Sequence, residues 1–322
     1  MSKQEIRILN LEPEGYSPRA HTILLSIGLV DEGPMSRGAL IDCLGQYHVL
    51  IVRLGHFIDS EVLGQSDRLK AIVTATTGLD HIDTACAEKE EIKVLSLQNE
   101  FVFLEQIWAT AEHTFALLLS LIRKIPFAVE SVLEGAWDRD YFRGGELNGK
   151  RLGILGYGRI GKKIATYGCA FGMKVGIFDP GKSGTLQNDN VTVFEDFRPF
   201  LEFSQFLTIH VPLNNETCGM LGEEQIMMLP RGAYLINTSR GGIVNEIALL
   251  KALESGHLAG VALDVLEDEK RKDFLKKHPF LDYARRHNNL IITPHVGGAT
   301  KESMEKTEIF MAVKLKRFIE GL

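Results

Sequence analysis

Short apolar runs rich in Val and Ile alternate with amphipathic segments along most of the chain. Such continuous runs predict buried parallel strands, because a strand covered on both faces shows no polar alternation. In the first hundred residues the runs are IRIL, HVLIV, KAIVTA and IKVLSL. The segments Asp59–Gln65 and Ile82–Glu91 between them predict connecting helices, the first entered through an Asp cap. The pattern therefore predicts a first α/β unit that ends near Asn99.

A longer apolar segment, Leu104–Ile125, predicts one largely buried helix that ends at Pro126 and connects two units. Beyond the polar stretch 139–150, the strand candidates resume as RLGILG, KVGIFD, VTVF, FLTIHV, AYLINT, GVALDV and LIITPH. Seven strands with helices between them favour a doubly wound α/β sheet. The last segment, from Lys301, is amphipathic and predicts a helix whose apolar face includes Met311 and Leu315.

Three glycines in the stretch ILGYGRIGKKIA, at Gly156, Gly158 and Gly161, form a G-x-G-x-x-G pattern. The pattern alone is weak, because a chain this rich in glycine gives about 0.3 such matches by chance. Here, however, it directly follows a strand candidate and opens a helix candidate. A dinucleotide site needs that order: a tight turn, close backbone approach to the pyrophosphate, tight helix–strand packing, and free N–H groups at the helix start.

Asp179 ends the next strand candidate, eighteen residues after Gly161. A carboxylate at about this distance can accept both ribose hydroxyls and repels a 2′-phosphate, so the spacing favours NAD over NADP. Lys182 lies close by and leaves the strictness of that preference open. Arg159 and Ile160, inside the glycine motif, are further candidates for cofactor contacts.

Composition narrows the class of protein without naming a function. A chain of 322 residues is long enough for two domains, and 45% hydrophobic and 24% charged residues are ordinary for a globular enzyme. A net charge of −6 without a long basic run argues against nucleic-acid binding. No apolar run approaches the ~18 residues of a membrane span, and MSKQEIRILN lacks a signal-peptide core. The four cysteines show no C-x-x-C spacing, so we expect reduced thiols, no metal site and a cytoplasmic protein.

Four motifs follow the glycine loop in order: HVPLNNET, INTSRGGIVNE, GVALDVLEDE and ITPHVGGAT. Together with that loop they resemble the D-isomer-specific 2-hydroxyacid dehydrogenase family, which includes phosphoglycerate, D-lactate and glyoxylate/hydroxypyruvate dehydrogenases. The resemblance implies two Rossmann-like or flavodoxin-like domains, with an NAD-binding domain at 108–297 inserted into a discontinuous substrate domain at 1–107 and 298–322. It also implies a homodimer that interconverts a 2-keto acid and a D-2-hydroxy acid.

The family's catalytic Arg, Glu and His correspond to Arg240, Glu269 and His295, each within its motif. These residue types suit the reaction. An imidazole titrates near neutrality and can give a proton to the carbonyl oxygen or take it back. A carboxylate on its other nitrogen would stabilise the imidazolium. A guanidinium can bind the substrate carboxylate and stabilise developing negative charge.

The same motifs imply further ligand contacts. The expected cofactor contacts outside the glycine loop are Val211, Pro212, Thr217, Thr238, Arg240, Asp264, His295 and Gly297. The expected substrate contacts are Arg53 in LIVRLGHFID, Thr77 and Gly78 in TATTGLDHID, and again Arg240 and His295. His113 and His210 are interpreted as packing or supporting residues.

The substrate half departs from the family pattern. Only Arg53 is kept from an Arg and a following Ser–Arg–Thr, and NEFVFLEQIWATAEHT replaces a loop of small residues. The bulky Phe101, Phe103 and Trp108 there predict a larger or less charged substrate side chain than that of phosphoglycerate. The chain stops 27 residues after His295, so simple Michaelis kinetics without a regulatory extension are expected.

Two other functions remain open on sequence grounds. Formate and phosphite dehydrogenases share the fold; formate enzymes carry Gln where Glu269 stands, whereas phosphite oxidation is harder to exclude. A dinucleotide-sensing corepressor of the same fold would bind NAD(H) without turnover. Consumption of NADH with glyoxylate, hydroxypyruvate and pyruvate separates the dehydrogenase from the sensor.

Overall fold

A computed structural model describes residues 5–33, 35–181, 191–269 and 274–321 of the protein. The chain divides into two compact units. One combines the described residues up to Ile107 with those from Ala299 onwards, and the other spans Trp108–Gly298. Within the described ranges, every helix is too short or too polar to cross a lipid bilayer.

The first unit is built on a five-stranded parallel sheet. Its strands are β1 (Arg7–Asn10), β2 (Leu29–Glu32), β3 (Val49–Val52), β4 (Ala71–Thr74) and β5 (Lys93–Leu95), in the order β2-β1-β3-β4-β5. Its helices are α1 (Pro18–Leu25), α2 (Arg37–Cys43), α3 (Ser60–Leu63), α4 (Thr84–Lys89) and α5 (Phe101–Leu104), with a 3₁₀ turn at Leu44–Gln46. Ile8 and Leu9, two successive residues of β1, belong to separate hydrophobic clusters, so both faces of the sheet are covered.

Four of these five strands are the predicted apolar runs, and β2 was missed. Its sequence, LVDE, contains only two apolar residues, and Leu29 is 50% exposed. An edge strand pairs on one side only and needs less apolar surface, so it leaves a weaker pattern than a central strand.

The second unit is built on a seven-stranded, entirely parallel sheet. Its strands are β6 (Arg151–Leu155), β7 (Lys174–Phe178), β8 (Val191–Val193), β9 (Phe206–Ile209), β10 (Ala233–Asn237), β11 (Leu258–Leu263) and β12 (Leu290–Ile292), in the order β12-β11-β10-β9-β6-β7-β8. Its helices are α6 (Ala109–Ile122), α7 (Ile125–Leu133), α8 (Arg159–Ala170), α9 (Phe197–Phe203), α10 (Glu223–Met228), α11 (Glu246–Glu254) and α12 (Pro279–Ala284), with 3₁₀ turns at Gly241–Ile243 and Phe274–Lys277.

The predicted fold class is confirmed, and all seven strand candidates of the second unit are strands. The chain returns to the middle of the sheet between β8 and β9, so β6 and β9 are neighbours whose following connections run in opposite directions. Ligands of open parallel sheets bind outside the carboxyl ends of the strands at such a switch point.

The single helix predicted over Leu104–Ile125 is wrong, because the segment is broken twice. Helix α5 ends at Leu104 and α6 begins only at Ala109. The second break is at Lys124, which adopts the left-handed conformation with φ 51°. Pro126 then lies in the first turn of α7, where its missing N–H costs no helical hydrogen bond. The proline therefore begins a helix instead of ending one.

The C-terminal helix α13 (Lys301–Glu320) completes the first unit. Thr300 caps it by accepting a hydrogen bond from the backbone N–H of Ser303. Met311 and Leu315 are buried in the same cluster as Ile8 and Val49, as the apolar face of the segment predicts.

Candidate active site

The glycine loop lies between β6 and α8 and needs its glycines for different reasons. Gly156 has φ +93°, and a Cβ there would lie 2.8 Å from the carbonyl carbon of His210. A Cβ at Gly161 would lie 2.1 Å from the Gly156 oxygen. At Gly158, the N-cap of the 12-residue helix α8, a Cβ would meet nothing within 4 Å. The loop thus leaves open space before exposed helix N–H groups, and its residues fit a dinucleotide pyrophosphate.

Asp179, directly after β7, lies beside this loop. Its Oδ2 accepts a hydrogen bond from the backbone N–H of Tyr157 at 2.7 Å, and Oδ1 accepts one from Gly181 at 2.9 Å. The carboxylate is thereby held next to the glycine turn, in the place expected of a ribose partner. Arg159 and Ile160 form the first turn of α8. Lys182 lies outside the described residues.

The remaining candidates follow neighbouring strands and share one edge of the sheet. Val211 and Pro212 come after β9, Thr238 and Arg240 after β10, and Asp264 after β11. The Thr217 hydroxyl donates to the Pro212 oxygen at 2.5 Å and so closes the loop after β9.

Two hydroxyl side chains in the loop after β10 hydrogen-bond α6 and the loop after β9. The Thr238 hydroxyl hydrogen-bonds that of Thr114 in α6 at 2.8 Å, so it faces the helix. The Ser239 hydroxyl donates to the Val211 oxygen at 2.5 Å and ties the β10 loop to the β9 loop. Sequence reasoning did not identify Ser239, although it stands next to Arg240 in the motif.

His295 and Glu269 are in direct contact. Nδ1 of His295 and Oε1 of Glu269 are 2.5 Å apart, and Oε2 of Glu269 accepts the backbone N–H of Leu266 at 3.2 Å. Both side chains are about a fifth to a quarter exposed, at 24% for the imidazole and 19% for the carboxylate. The carboxylate fixes the ring through Nδ1 and leaves Nε2 as the ring nitrogen for a reacting group.

Asp264 is the centre of the hydrogen bonds that hold the His295 loop. Its Oδ1 accepts the Thr293 hydroxyl at 2.6 Å and the Val296 N–H at 2.9 Å, and its Oδ2 accepts the Gly297 N–H at 2.7 Å. Its backbone oxygen accepts the His295 N–H at 2.8 Å. The loop is held in a costly conformation, because His295 has φ 52°, in the left-handed region.

His113, from α6, joins this network. Its Nε2 lies 3.2 Å from Asp264 Oδ1 and 3.1 Å from the Thr293 hydroxyl. Burial alone would raise the pKa of Asp264, but hydrogen bonds from His113, Thr293 and two backbone N–H groups lower it overall. The sequence pointed to Asp264 as a cofactor contact; the contacts of its carboxylate described here are all to α6 and the His295 loop. Thr293 was missed, and no sequence signal marked it.

Arg240 is presented by a tightly packed loop. Its backbone oxygen accepts the Asn237 side-chain amide at 2.9 Å, and its Nη1 donates to the Ser239 oxygen at 2.8 Å. The next residue, Gly241, approaches the chain so closely that a Cβ would lie 2.1 Å from the carbonyl carbon of Leu266. The Arg240 loop therefore packs against the segment that leads to Glu269.

A second histidine at this edge, His210, has a different environment. Burial lowers its pKa to about 3, and its Nε2 has no hydrogen-bond partner among the described residues. Its imidazole is neutral at working pH and cannot serve as a protonated acid. Among these two histidines, only His295 has a carboxylate partner.

The predicted substrate contacts Arg53, Thr77 and Gly78 lie in the first unit, after the adjacent strands β3 and β4. The Thr76 hydroxyl donates to the Gly78 oxygen at 2.8 Å, and Thr77 is exposed. The Arg53 guanidinium donates to the backbone oxygens of Glu12 and Glu14, each at 2.9 Å.

The three bulky side chains of the segment 101–108 differ in environment. Phe103 stacks on Phe310 with ring centroids 4.0 Å apart and belongs to the core. Phe101 is 70% exposed. Trp108, the first residue of the second unit, is half-exposed and covers the ammonium group of Lys163 at 4.2 Å.

Comparison with known proteins gives consistent matches. Residues 115–297 match the family model described as the NAD-binding domain of D-isomer-specific 2-hydroxyacid dehydrogenases. The chain is 39% identical to D-3-phosphoglycerate dehydrogenase of Bacillus subtilis, over 87% of this chain and 51% of that protein. It is 33% identical to the Methanocaldococcus jannaschii enzyme of the same name, over 98% and 58%. The chain thus spans about half the length of the curated relatives it matches.

Solved structures match over almost the full chain. The structure of D-lactate dehydrogenase from Aquifex aeolicus, complexed with NAD and lactic acid, superposes with a TM-score of 0.84. The sequences are 30% identical, and the match covers 98% of this chain and 96% of that one.

Proposed function

The chain belongs to the D-isomer-specific 2-hydroxyacid dehydrogenase family, and from this premise we propose that it interconverts a 2-keto acid and a D-2-hydroxy acid with NAD. The observation that carries the proposal is the 2.5 Å contact between His295 Nδ1 and Glu269 Oε1. This pair lies on the sheet edge that also bears the glycine loop and Arg240. An imidazole that is hydrogen-bonded to a carboxylate and lies beside a dinucleotide site can donate or accept the proton that accompanies hydride transfer.

The residues proposed to hold NAD are those of the glycine loop and Asp179. The backbone of Gly156 and Gly158 and the N–H groups at the start of α8 would face the pyrophosphate, and Asp179 would accept the ribose hydroxyls. When bound, the cofactor would supply a hydride as NADH for reduction and accept one as NAD in oxidation. The protein orients the keto or hydroxy acid and donates or accepts the proton.

His295 is the proposed proton carrier. With Nδ1 committed to Glu269, Nε2 holds the proton that goes to the carbonyl oxygen in reduction and takes it back in oxidation. The Glu269 carboxylate stabilises the imidazolium and fixes the ring orientation. The Arg240 guanidinium would bind the substrate carboxylate and stabilise negative charge on the oxygen as it develops. Asp264, buried behind the loop, positions the imidazole without touching the substrate.

The test is a turnover assay with His295→Asn. We expect the wild type to oxidise NADH with at least one of glyoxylate, hydroxypyruvate and pyruvate. Where the product is chiral, as with hydroxypyruvate and pyruvate, it should be the D isomer. The variant should bind NADH with nearly unchanged affinity while kcat falls about 10²–10⁴-fold. Binding without turnover across the panel would favour the sensor, and NAD reduction by phosphite alone would favour a phosphite dehydrogenase. Equal loss of binding and turnover in the variant would make the histidine structural.

We also propose that the protein is a cytoplasmic homodimer formed through α7 and the residues after it. None of the nine residues of α7 is buried, although most are apolar. The exposed apolar side chains of this segment are Ile125, Val129, Val132, Leu133, Trp137 and Tyr141. A face of this kind marks an interaction surface, and a second copy offers the same face, as in symmetric dimers. The cytoplasmic part of the proposal rests on the sequence, whose four cysteines show no C-x-x-C spacing.

Sedimentation velocity tests the dimer. Val129→Asp and Leu133→Asp should convert the protein to monomers. Ile247→Asp is the control, because Ile247 is 71% exposed on α11 of the same unit and should leave the dimer intact. A monomeric wild type, or a dimer that survives both α7 changes, would contradict the proposal.

A further inference from the structure

The segments that carry Arg240 and Glu269 lie side by side in the second unit. Arg240 follows β10, and the chain runs from it through the 3₁₀ turn Gly241–Ile243 into α11, whose first residue is Glu246. Glu269 ends the segment 264–269, which follows β11. Strands β10 and β11 are parallel neighbours, so both segments begin at the same edge of the sheet. The contacts between the segments therefore determine how the Arg240 and Glu269 side chains are placed relative to each other.

Glu246 contacts the Glu269 segment directly. Its Oε1 accepts the backbone N–H of Glu267 at 2.8 Å, and its Oε2 faces Nε2 of His278 at 3.1 Å. The Glu246 side chain is 19% exposed, whereas that of Glu223, the first residue of α10, is 67% exposed. The Glu246 carboxylate is thus turned towards the protein, although the start of a helix would allow it to face solvent.

His278 binds the second oxygen of this carboxylate. As the N-cap of α12, it accepts the backbone N–H of Phe280 on Nδ1 at 3.4 Å, so Nε2 carries the proton that is directed at Glu246. The imidazole packs against the rings of Phe274 and Phe280. Burial raises the pKa of Glu246, and the hydrogen bonds from Glu267 and His278 oppose that rise because they favour the carboxylate. Both oxygens of Glu246 therefore have a donor.

The Glu267 peptide group connects Glu246 to Glu269. One residue earlier, the Leu266 N–H donates to Oε2 of Glu269 at 3.2 Å. Two successive backbone N–H groups are thus bound by two carboxylates, one from within the segment and one from α11. A shift of this short stretch of backbone would move the group that holds Oε2 of Glu269, and with it the carboxylate.

Two further features indicate that the Glu269 segment needs a fixed support. Asp268 has φ 59°, so the residue just before Glu269 is in the left-handed region, which is costly for a residue with a side chain. A Cβ at Gly241 would lie 2.2 Å from the Glu267 nitrogen, so the backbones of the two segments are in close contact there. The segment is therefore held at two points by the chain that follows Arg240, at Gly241 and at Glu246.

We propose that Glu246 is a positioning residue, whose carboxylate fixes the segment that presents Glu269 to His295. The inference rests on the proposed function, in which Glu269 stabilises the His295 imidazolium. Glu246 touches neither substrate nor cofactor and acts through the Glu267 peptide group. Without it, Glu269 can move away from the 2.5 Å contact with His295 on which proton transfer depends.

Glu246→Ala tests the inference in the purified protein. Loss of the acceptor should lower kcat about tenfold for the keto acid that the wild type reduces best, while the Kd for NADH, measured by fluorescence titration, stays within about twofold. Glu246→Gln keeps an oxygen for the Glu267 N–H and should keep kcat within about threefold of the wild type. Glu223→Ala is the matched control, because it also removes a carboxylate from the first position of a helix in the same unit and should change neither quantity.

A double variant separates an effect through Glu269 from a general loss of stability. In Glu269→Gln the carboxylate that Glu246 positions is already gone, so adding Glu246→Ala should lower kcat by less than about twofold. Single losses that multiply in the double variant would overturn the inference. So would unchanged kcat in Glu246→Ala, equal losses of kcat and NADH affinity, or a Glu246→Gln variant as slow as the Ala variant.

Two provisions keep the outcome decisive. If Glu246→Ala does not fold, Glu246→Leu takes its place, because it removes the acceptor while keeping most of the side-chain volume. A wild type that reduces no keto acid, or a Glu269→Gln variant with unchanged kcat, would overturn the proposed function instead.

Discussion

Replacing Asp264 by Asn should show what holds His295, the proposed proton carrier. The side chain is 1% exposed, and its two oxygens accept from the Thr293 hydroxyl and from the Val296 and Gly297 N–H groups. Asn has the same shape but offers one acceptor and one donor. Either orientation therefore points an amide N–H at a backbone N–H.

The loss of stability is set by the amide orientation that breaks fewer hydrogen bonds. With the amide nitrogen toward Gly297, Thr293 and Val296 keep their acceptor, and one charge-assisted bond becomes a donor facing a donor. Such a bond contributes about 1.5–3 kcal/mol, and leaving a buried donor unsatisfied costs about 1–3 kcal/mol. The lost hydrogen bond and the unsatisfied donor partly describe the same loss, so the two contributions are not fully additive. We therefore expect the free energy of unfolding to fall by about 2–4 kcal/mol. The freed loop should also relax His295 from its left-handed backbone, so kcat should fall while NADH affinity changes little.

The assay is urea unfolding at several pH values, together with steady-state kinetics. Because the folded protein lowers the pKa of Asp264, its contribution is fully present above the ordinary carboxyl pKa of about 3.9 and is lost as pH falls through the lower folded value. The stability difference between wild type and Asp264→Asn should be constant from pH 7 to 5 and shrink below about pH 4. Glu267→Gln, an exposed carboxylate of the same loop, is the control. Equal stability and equal kcat in wild type and Asp264→Asn would refute the role given to the network.

Further predictions concern the cofactor and the proton. Asp179→Ala should lower the NAD-to-NADP ratio of kcat/KM about tenfold or more, because the carboxylate that repels a 2′-phosphate is gone; an unaltered ratio would show that Asp179 is not the ribose partner. Glu269→Gln should lower kcat about 10–100-fold with NADH affinity retained, since an amide no longer stabilises the imidazolium; unchanged kcat would count against the pair. Gly161→Ala should destabilise the loop and abolish NADH binding measured by fluorescence titration, because its Cβ would lie 2.1 Å from the Gly156 oxygen. Gly158→Ala should fold normally and lose only NADH affinity, since its Cβ meets no protein atom within 4 Å.

Buried parallel strands could be predicted almost completely, because a strand covered on both faces needs apolar side chains at consecutive positions. The breaks that separate α5, α6 and α7 could not be predicted. The left-handed turn at Lys124 and the start of α7 at Pro126 depend on packing that a run of apolar residues does not reveal. The one strand missed, β2, lies at an edge where little of its surface is covered.

The candidate site also has residues that the sequence predicts and residues that it does not. The Arg240, Glu269 and His295 motifs and the glycine loop follow strand ends and are visible in the sequence. The network around Asp264 is not, because His113 reaches it from 151 positions away. Arg53 is a further case: sequence indicated a substrate ligand, but only the fold brings the Glu12 carboxylate to its backbone from 41 positions away.

The placement of α13 has a consequence for biosynthesis. The second unit is one continuous stretch and can finish folding as it leaves the ribosome, whereas the first unit waits for the helix that supplies Met311 and Leu315 to its core. Until those residues emerge, the nascent chain carries a sheet that is only partly covered, with part of one apolar face open to chaperones. If translation stalls before α13 is made, the residues of the first unit up to Ile107 should therefore stay protease-sensitive after the second unit is already resistant.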